Sequence, residues 1–149
     1  MDPTEKVPEA PAAQAGQPAS ARQLAPRVAT ALESADLAAF ADLLDPDVRW
    51  GAPGDPSPTC QNRAQVLDWY QAGRQAGVRA RVIETTAFAD RILVGLELTG
   101  NRRAARDGGP TERWQVLTVR AGRVAEIVGF DHRSQAITHA GLDASAAPG

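Results

Sequence analysis

Large apolar side chains enter this chain late. Residues 1–20, MDPTEKVPEAPAAQAGQPAS, hold proline, alanine and glutamine and almost nothing bulky. They bury too little surface to offset the entropy of ordering, and they read as a disordered tail. From there Leu24, Val28 and Leu32 recur at helical spacing. They predict a helix ending near Ser34, with Pro26 best tolerated in its first turn. Asp36 is placed to cap a short second helix, Leu37 to Leu44, stopped by the residue preceding Pro46. Asp47 to Gly51 reads as a short strand carrying Trp50. The prolines and glycine of APGDPSPT then exclude regular structure. Asn62 follows as the N-cap of a third helix, about Arg63 to Ala76, with Val66, Leu67 and Tyr70 on one side and Trp69 at its flank.

Beyond Val78 the pattern becomes strand-like: VRARVIETTAF, RILVGLELT from Arg91, ERWQVLTVR from Glu112 and RVAEIVGF from Arg123. Helices first and strands afterwards predict an α+β domain with a mainly antiparallel sheet. The polar loop TGNRRAARDGGPT carries Arg102, Arg103 and Arg106, a set better read as a solvated hairpin tip than as a site that steers anions. After Ser134 a weak terminal helix, QAITHAGL, leads into small residues. The domain is therefore assigned to 21–142, between disordered tails at 1–20 and 143–149.

Composition mainly removes possibilities. At 149 residues with a formal net charge of -2, the chain is one domain's worth and has no basic stripe for nucleic acid. Its one cysteine, Cys60, forms no internal disulfide, which fits a reducing compartment. No apolar run is long enough to span a bilayer, and the N-terminus lacks the regions of a secretion signal. A cytoplasmic protein without membrane contact is expected. There is no metal-spaced His/Cys cluster, phosphate-binding glycine loop or nucleophile elbow, so neither metal nor cofactor is indicated.

Three helices, a proline-rich gap between the first strand and the third helix, and a closing meander of strands make a distinctive order. LLDPDVRWGAP, NRAQVLDWY and RWQVLTVRAGRVAEIVGFDHRSQAI carry a resemblance to the nuclear transport factor 2-like superfamily, and within it to the SnoaL-like, polyketide cyclase-like group. The resemblance spans about Leu24 to Leu142. It implies a cone in which three N-terminal helices pack on a curved, mainly antiparallel sheet around an apolar pocket, and a homodimer. It also implies either a cofactor-free acid/base enzyme of isomerase, dehydratase or cyclase type acting on a small cyclic metabolite, or a non-catalytic ligand-binding or dimerisation module. Function in such folds lives in the pocket residues. The aspartate essential to cyclases and epoxide hydrolases of the group aligns with Gly129, so that acid is missing here.

Which residues reach the pocket depends on the closing hairpin. If Ala121 and Gly122 form a bare two-residue turn, Asp131 shares a face with Trp114, Val116 and Ile127. A three-residue loop, Arg120 to Gly122, instead aligns Arg113, Gln115, Leu117 and Val119 with Ala125, Ile127, Gly129 and Asp131. The second arrangement is preferred, because it puts glycine where a positive φ is needed, whereas the first would strain Ala121. Asp131 and His132 are neighbours on an extended strand, so they point to opposite faces and do not act as a dyad. Asp131 either replaces the missing acid from two residues further along or caps the last helix, with His132 at the surface. Glu97 is the second candidate for a titrating catalytic group, and Glu84 stands beside it as an alternative; each is a raised-pKa base if buried and a solvated surface acid if not. Gln115 and Arg113 are placed to polarise a ligand oxygen, although a cross-strand pair between Arg113 and a carboxylate explains the arginine equally well. Trp50, Trp69 and Tyr70, with Trp114, suit either an aromatic pocket wall or core packing, and Leu117, Ile127 and Gly129 complete the expected lining. Cys60, with no histidine indicated beside it, reads as an incidental thiol.

Overall fold

A computed structural model of the chain describes residues 19–52, 59–100, 106 and 108–141. The expected tail at 143–149 falls outside this range, as does that at 1–20 except for residues 19 and 20, and so do Arg102 and Arg103 of the polar loop; Arg106 is exposed. Helix α1 is Ala21–Ser34. It starts earlier than its apolar spacing suggests because Ser20 caps it: the Ser20 hydroxyl accepts from Gln23 N, and Gln23 Oε1 accepts from Ser20 N at 2.8 Å. Pro26 consequently lies in the second turn, where it removes one helical hydrogen bond. Helix α2, Leu37–Leu43, is capped by Asp36, which accepts from Ala39 N at 3.0 Å. Helix α3, Arg63–Gln75, is capped by Asn62, which accepts from Gln65 N at 2.9 Å.

Five strands follow or interleave: β1 Leu44–Gly51, β2 Arg79–Phe88, β3 Arg91–Thr99, β4 Thr111–Arg120 and β5 Arg123–Phe130. They form one sheet in the order β1-β5-β4-β3-β2, in which only the β1–β5 pair is parallel. Strand β1 starts three residues before the predicted Asp47 and contains Pro46, which is tolerated because β1 is an edge strand.

The β4–β5 hairpin reaches the preferred alignment by another route. Arg120 pairs with Arg123 across a two-residue turn in which Ala121 (φ 52°) and Gly122 (φ 82°) are both left-handed. The twist of such a turn matches that of the strands, which offsets the cost of a left-handed alanine. Val119 then pairs with Val124 and Thr118 with Glu126, so Ala125 is the extra residue of a bulge. Beyond it Leu117 faces Ile127 and Gln115 faces Gly129, as expected, while Val124 and not Ala125 stands opposite Val119.

The two faces of the sheet build separate cores. On one, Leu24, Val28, Phe40 and Val66 from the helices pack on Ile92, Val94, Leu96, Leu117 and Ile127. On the other, Leu93, Trp114, Val116, Val128 and Phe130 are covered by Ala136 and Ala140 of helix α4, Arg133–Ala140. That helix begins two residues before the expected QAITHAGL segment and serves as the lid of the outer face. Its N-cap residue is His132, not Asp131. Among the described residues, no helix is long and apolar enough to cross a membrane.

Candidate functional site

Alternation along β3 and β4 decides what faces the helices. Leu96 and Leu98 of β3 and Arg113 and Gln115 of β4 project to the helical side and line a cavity of about 650 Å³ beneath α1, α2 and α3. A second cleft of about 600 Å³ opens beside it, lined by residues that include Thr59, Gly129 and Gln135. Trp50, Trp69, Arg113 and Asp131 border both. They form the wall between an inner, mainly apolar chamber and an outer one.

Aromatic packing fixes that wall. The Trp50 ring stacks on Tyr70 with centroids 5.2 Å apart, Phe40 meets Tyr70 edge-on at 5.2 Å, and Trp69 meets Trp50 edge-on at 5.9 Å. Trp69 is 55% exposed, so it rims the opening and does not fill the core. Burial pushes the Tyr70 phenol up to about 12, against a smaller lowering effect of Gln115, whose Nε2 donates to Tyr70 Oη at 3.4 Å. At neutral pH Tyr70 therefore carries its proton and offers an O–H donor at the inner chamber.

Arg113 Nη1 forms an ion pair with Asp131 Oδ1 across β4 and β5. Its Nη2 lies over Gly129, 2.7 Å from where a Cβ on that residue would stand. The guanidinium thus occupies space that a side chain at position 129 would claim. Here Arg113 is both the cross-strand partner of a carboxylate and a cavity-lining group.

The remaining expected residues divide clearly. Trp50, Trp69, Tyr70, Arg113, Gln115, Gly129 and Asp131 are brought together around the two chambers. Leu117 and Ile127 share their face but are fully buried in the core beneath and line neither chamber. Glu97 alternates with Leu96 and Leu98, so it stands on the opposite face. There it accepts from Arg81 Nε at 3.3 Å, away from either chamber. Glu84 is also on that face, held by Arg133 through two hydrogen bonds of 2.7 and 2.9 Å. Trp114 is buried under α4 and is no part of the aromatic wall. Cys60 is buried, its thiol pushed up by burial, as suits an unreactive side chain. Sequence reasoning missed Leu96 and Leu98, which alternation in RILVGLELT flags once Glu97 is put outside, and Gln135 and Thr59, which nothing local in the sequence signals. Among the described residues no group of three or more His, Cys, Asp or Glu side chains is placed to hold a metal ion.

A family model described as SnoaL-like domain matches residues 25–127. No curated protein matches the chain. Among solved structures, a candidate ketosteroid isomerase from Kribbella flavida is 24% identical with a TM-score of 0.60, over 74% of this chain and 76% of that one. A candidate polyketide cyclase from Sinorhizobium meliloti is 23% identical with a TM-score of 0.55, over 70% and 90%. TerC, co-crystallised with polyporic acid, is 16% identical with a TM-score of 0.56, over 83% and 98%. At these identities the likeness shows a shared fold.

Proposed function

Because the chain belongs to the SnoaL-like domain family, we propose that it binds a small, largely apolar cyclic metabolite in its inner chamber. The observation that carries this reading is the chamber itself. It measures about 650 Å³, is walled mainly by aliphatic and aromatic side chains, and has a few polar groups, among them Gln115, Tyr70 and Arg113. The apolar wall would take the ring system and the polar groups an oxygen function. A structural relative crystallised with polyporic acid supports a cyclic ligand for this fold.

N-Phenyl-1-naphthylamine, whose emission rises on leaving water, tests the reading. One saturable site is expected in the wild type and none in Leu98→Trp, which fills the chamber from a half-buried strand position. Equal binding by both proteins would put the probe elsewhere and remove the proposal. A second reading, proton transfer on the bound ligand, rests on Asp131, the carboxylate on the wall of both chambers. It would act as the base, with Arg113 and Tyr70 supporting the developing oxyanion. Solvent deuterium uptake into 2-tetralone, present with the wild type and absent with Asp131→Asn, separates catalysis from binding. The family likeness also supports a homodimer, to be read in solution as twice the chain mass of 15.7 kDa.

A further inference from the structure

The two chambers differ in chemistry, and they meet at an exposed indole. Trp69 is 55% exposed, the one large apolar side chain so placed among the described residues. A single exposed indole elsewhere on the surface would need no explanation. Trp69 is not isolated, because it borders both chambers and meets Trp50 edge-on at 5.9 Å. Around it the outer cleft carries the exposed polar side chains of Thr59, Asp131 and Gln135, of which Thr59 and Gln135 line that cleft alone. The inner chamber is walled mainly by aliphatic and aromatic groups. A molecule reaching through the shared wall would therefore keep an apolar body inside and a hydrophilic part outside.

We propose that the outer cleft is a sugar subsite, and that the preferred ligands are glycosides whose ring system enters the inner chamber while the sugar lies against Trp69. The inference rests on the pocket reading above and deepens it, from a cyclic metabolite to a glycosylated one. A pyranose has an apolar C–H face and a rim of hydroxyls. Its face suits an indole that is apolar over its body and open to water. Its rim suits the polar groups of the cleft: the Gln135 amide both donates and accepts, and the Asp131 carboxylate accepts from O–H. Charge selects among hydrophilic groups. Arg113 also lines the cleft, but its ion pair with Asp131 leaves that wall without net charge. An anionic group would gain the guanidinium and be repelled by the carboxylate, and a cationic group the reverse, whereas a neutral polyol meets no like charge.

The test is displacement of N-phenyl-1-naphthylamine from the full-length protein by three compounds that share one ring system: 2-naphthyl β-D-glucopyranoside, 2-methoxynaphthalene and 2-naphthyl sulfate. The glucoside should bind about tenfold more tightly than the methyl ether, the scale of one or two net hydrogen bonds with a stacked face. It should also outbind the sulfate. Trp69→Ala removes the surface on which the sugar lies, and Gln135→Ala removes a group that lines the outer cleft alone. Each should cut the glucoside's advantage over the methyl ether by about threefold or more. Gln135→Ala should also leave the affinity for 2-methoxynaphthalene within about twofold of the wild type, which shows that the inner chamber still folds. Equal binding of glucoside and methyl ether to the wild type would overturn the sugar subsite and leave the pocket standing. So would an advantage that survives both substitutions. Tighter binding of the sulfate than of the glucoside would replace the sugar subsite with an anion subsite. Failure of the probe and all three naphthalenes to bind would overturn the pocket reading and the subsite together.

Discussion

Gly95→Ala should be among the most damaging single-methyl additions this fold can receive. Gly95 pairs with Trp114 across β3 and β4, and the indole lies flat over the bare backbone. A Cβ at Gly95 would stand 2.4, 2.6 and 2.9 Å from Trp114 Cζ3, Cη2 and Cε3, distances that real contacts do not show. The ring has little freedom to withdraw. It is 4% exposed, its Nε1 donates to Glu112 Oε1 at 3.2 Å, and the Arg133 guanidinium sits 5.8 Å from its centroid. If the sheet absorbs the methyl, overpacking costs about 1–3 kcal/mol. If the indole is expelled, re-exposing about 150–250 Å² at about 25 cal/mol per Å² costs about 4–6 kcal/mol. Replacing a strand glycine returns about 0.5–1 kcal/mol of backbone entropy. Net of that return the loss is about 0–2.5 kcal/mol if the sheet absorbs the methyl and about 3–5.5 kcal/mol if the indole is expelled; a clash this close on a ring this confined puts the outcome where the two ranges approach, at about 2–4 kcal/mol, or about 6–12 °C in Tm for a chain of this size. Thermal and urea unfolding followed by near-ultraviolet circular dichroism measure both the loss and the disturbance of the indole. In a Trp114→Ala background the same substitution should be neutral or stabilising. An equal loss in both backgrounds, or a Tm change under about 2 °C in the wild type, would refute the steric account.

Three further outcomes follow from the same physics. Gly129→Ala, chemically identical but on the other face, meets only the far end of the flexible Arg113 side chain; its unfolding free energy should stay within about 1 kcal/mol of the wild type. Tyr70 is the sole tyrosine, so absorbance at 295 nm titrates it alone and should give a midpoint near 12. Because its folded value lies above the unfolded value of 10.0, the stability it contributes is intact below pH 10 and is lost as pH rises toward about 12, a loss that Tyr70→Phe should remove. The Glu84 carboxyl is held below its ordinary 4.5, chiefly by the hydrogen bond from Arg133, so its contribution is present above that pH and lost as acid carries it through the lowered value; Glu84→Gln should flatten this part of the acid unfolding curve.

Most of the architecture was legible because local rules and the tertiary fold agree. Asp36 and Asn62 cap the helices they precede, and the alternation in β3, β4 and β5 matches the buried faces. The failures have particular causes. Pro46 reads as a barrier to a strand, but it lies on an edge strand where the β1–β5 register shifts between Leu44 and Arg49, so no regular ladder bond needs its N–H. Ala121 looked too strained for a tight turn. The structure accepts that strain and corrects the register with a bulge at Ala125, a device with no local sequence signature. By residue type alone Trp114, like Trp50, Trp69 and Tyr70, suits either a ligand wall or the core. Yet the alternation that points Arg113 and Gln115 at the cavity already sends Trp114 the other way. Glu97 falls to the same logic between Leu96 and Leu98.

The candidate site shows why a missing acid is not the same as an empty position. With no side chain at Gly129, the Arg113 guanidinium lies where one would be, and Asp131, two residues along the same face, neutralises it. Restoring an acid at position 129 alone would not restore an independent proton donor. Its Cβ would arrive 2.7 Å from Arg113 Nη2, and its carboxylate would compete with Asp131 for one cation. Paired with a guanidinium, a carboxylate favours its ionised form and is a poor general acid. The identities of residues 113, 129 and 131 are therefore coupled. A side chain at position 129 displaces the Arg113 guanidinium, and that guanidinium holds Asp131 as its ion-pair partner, so a change at any one of the three positions is felt at the other two.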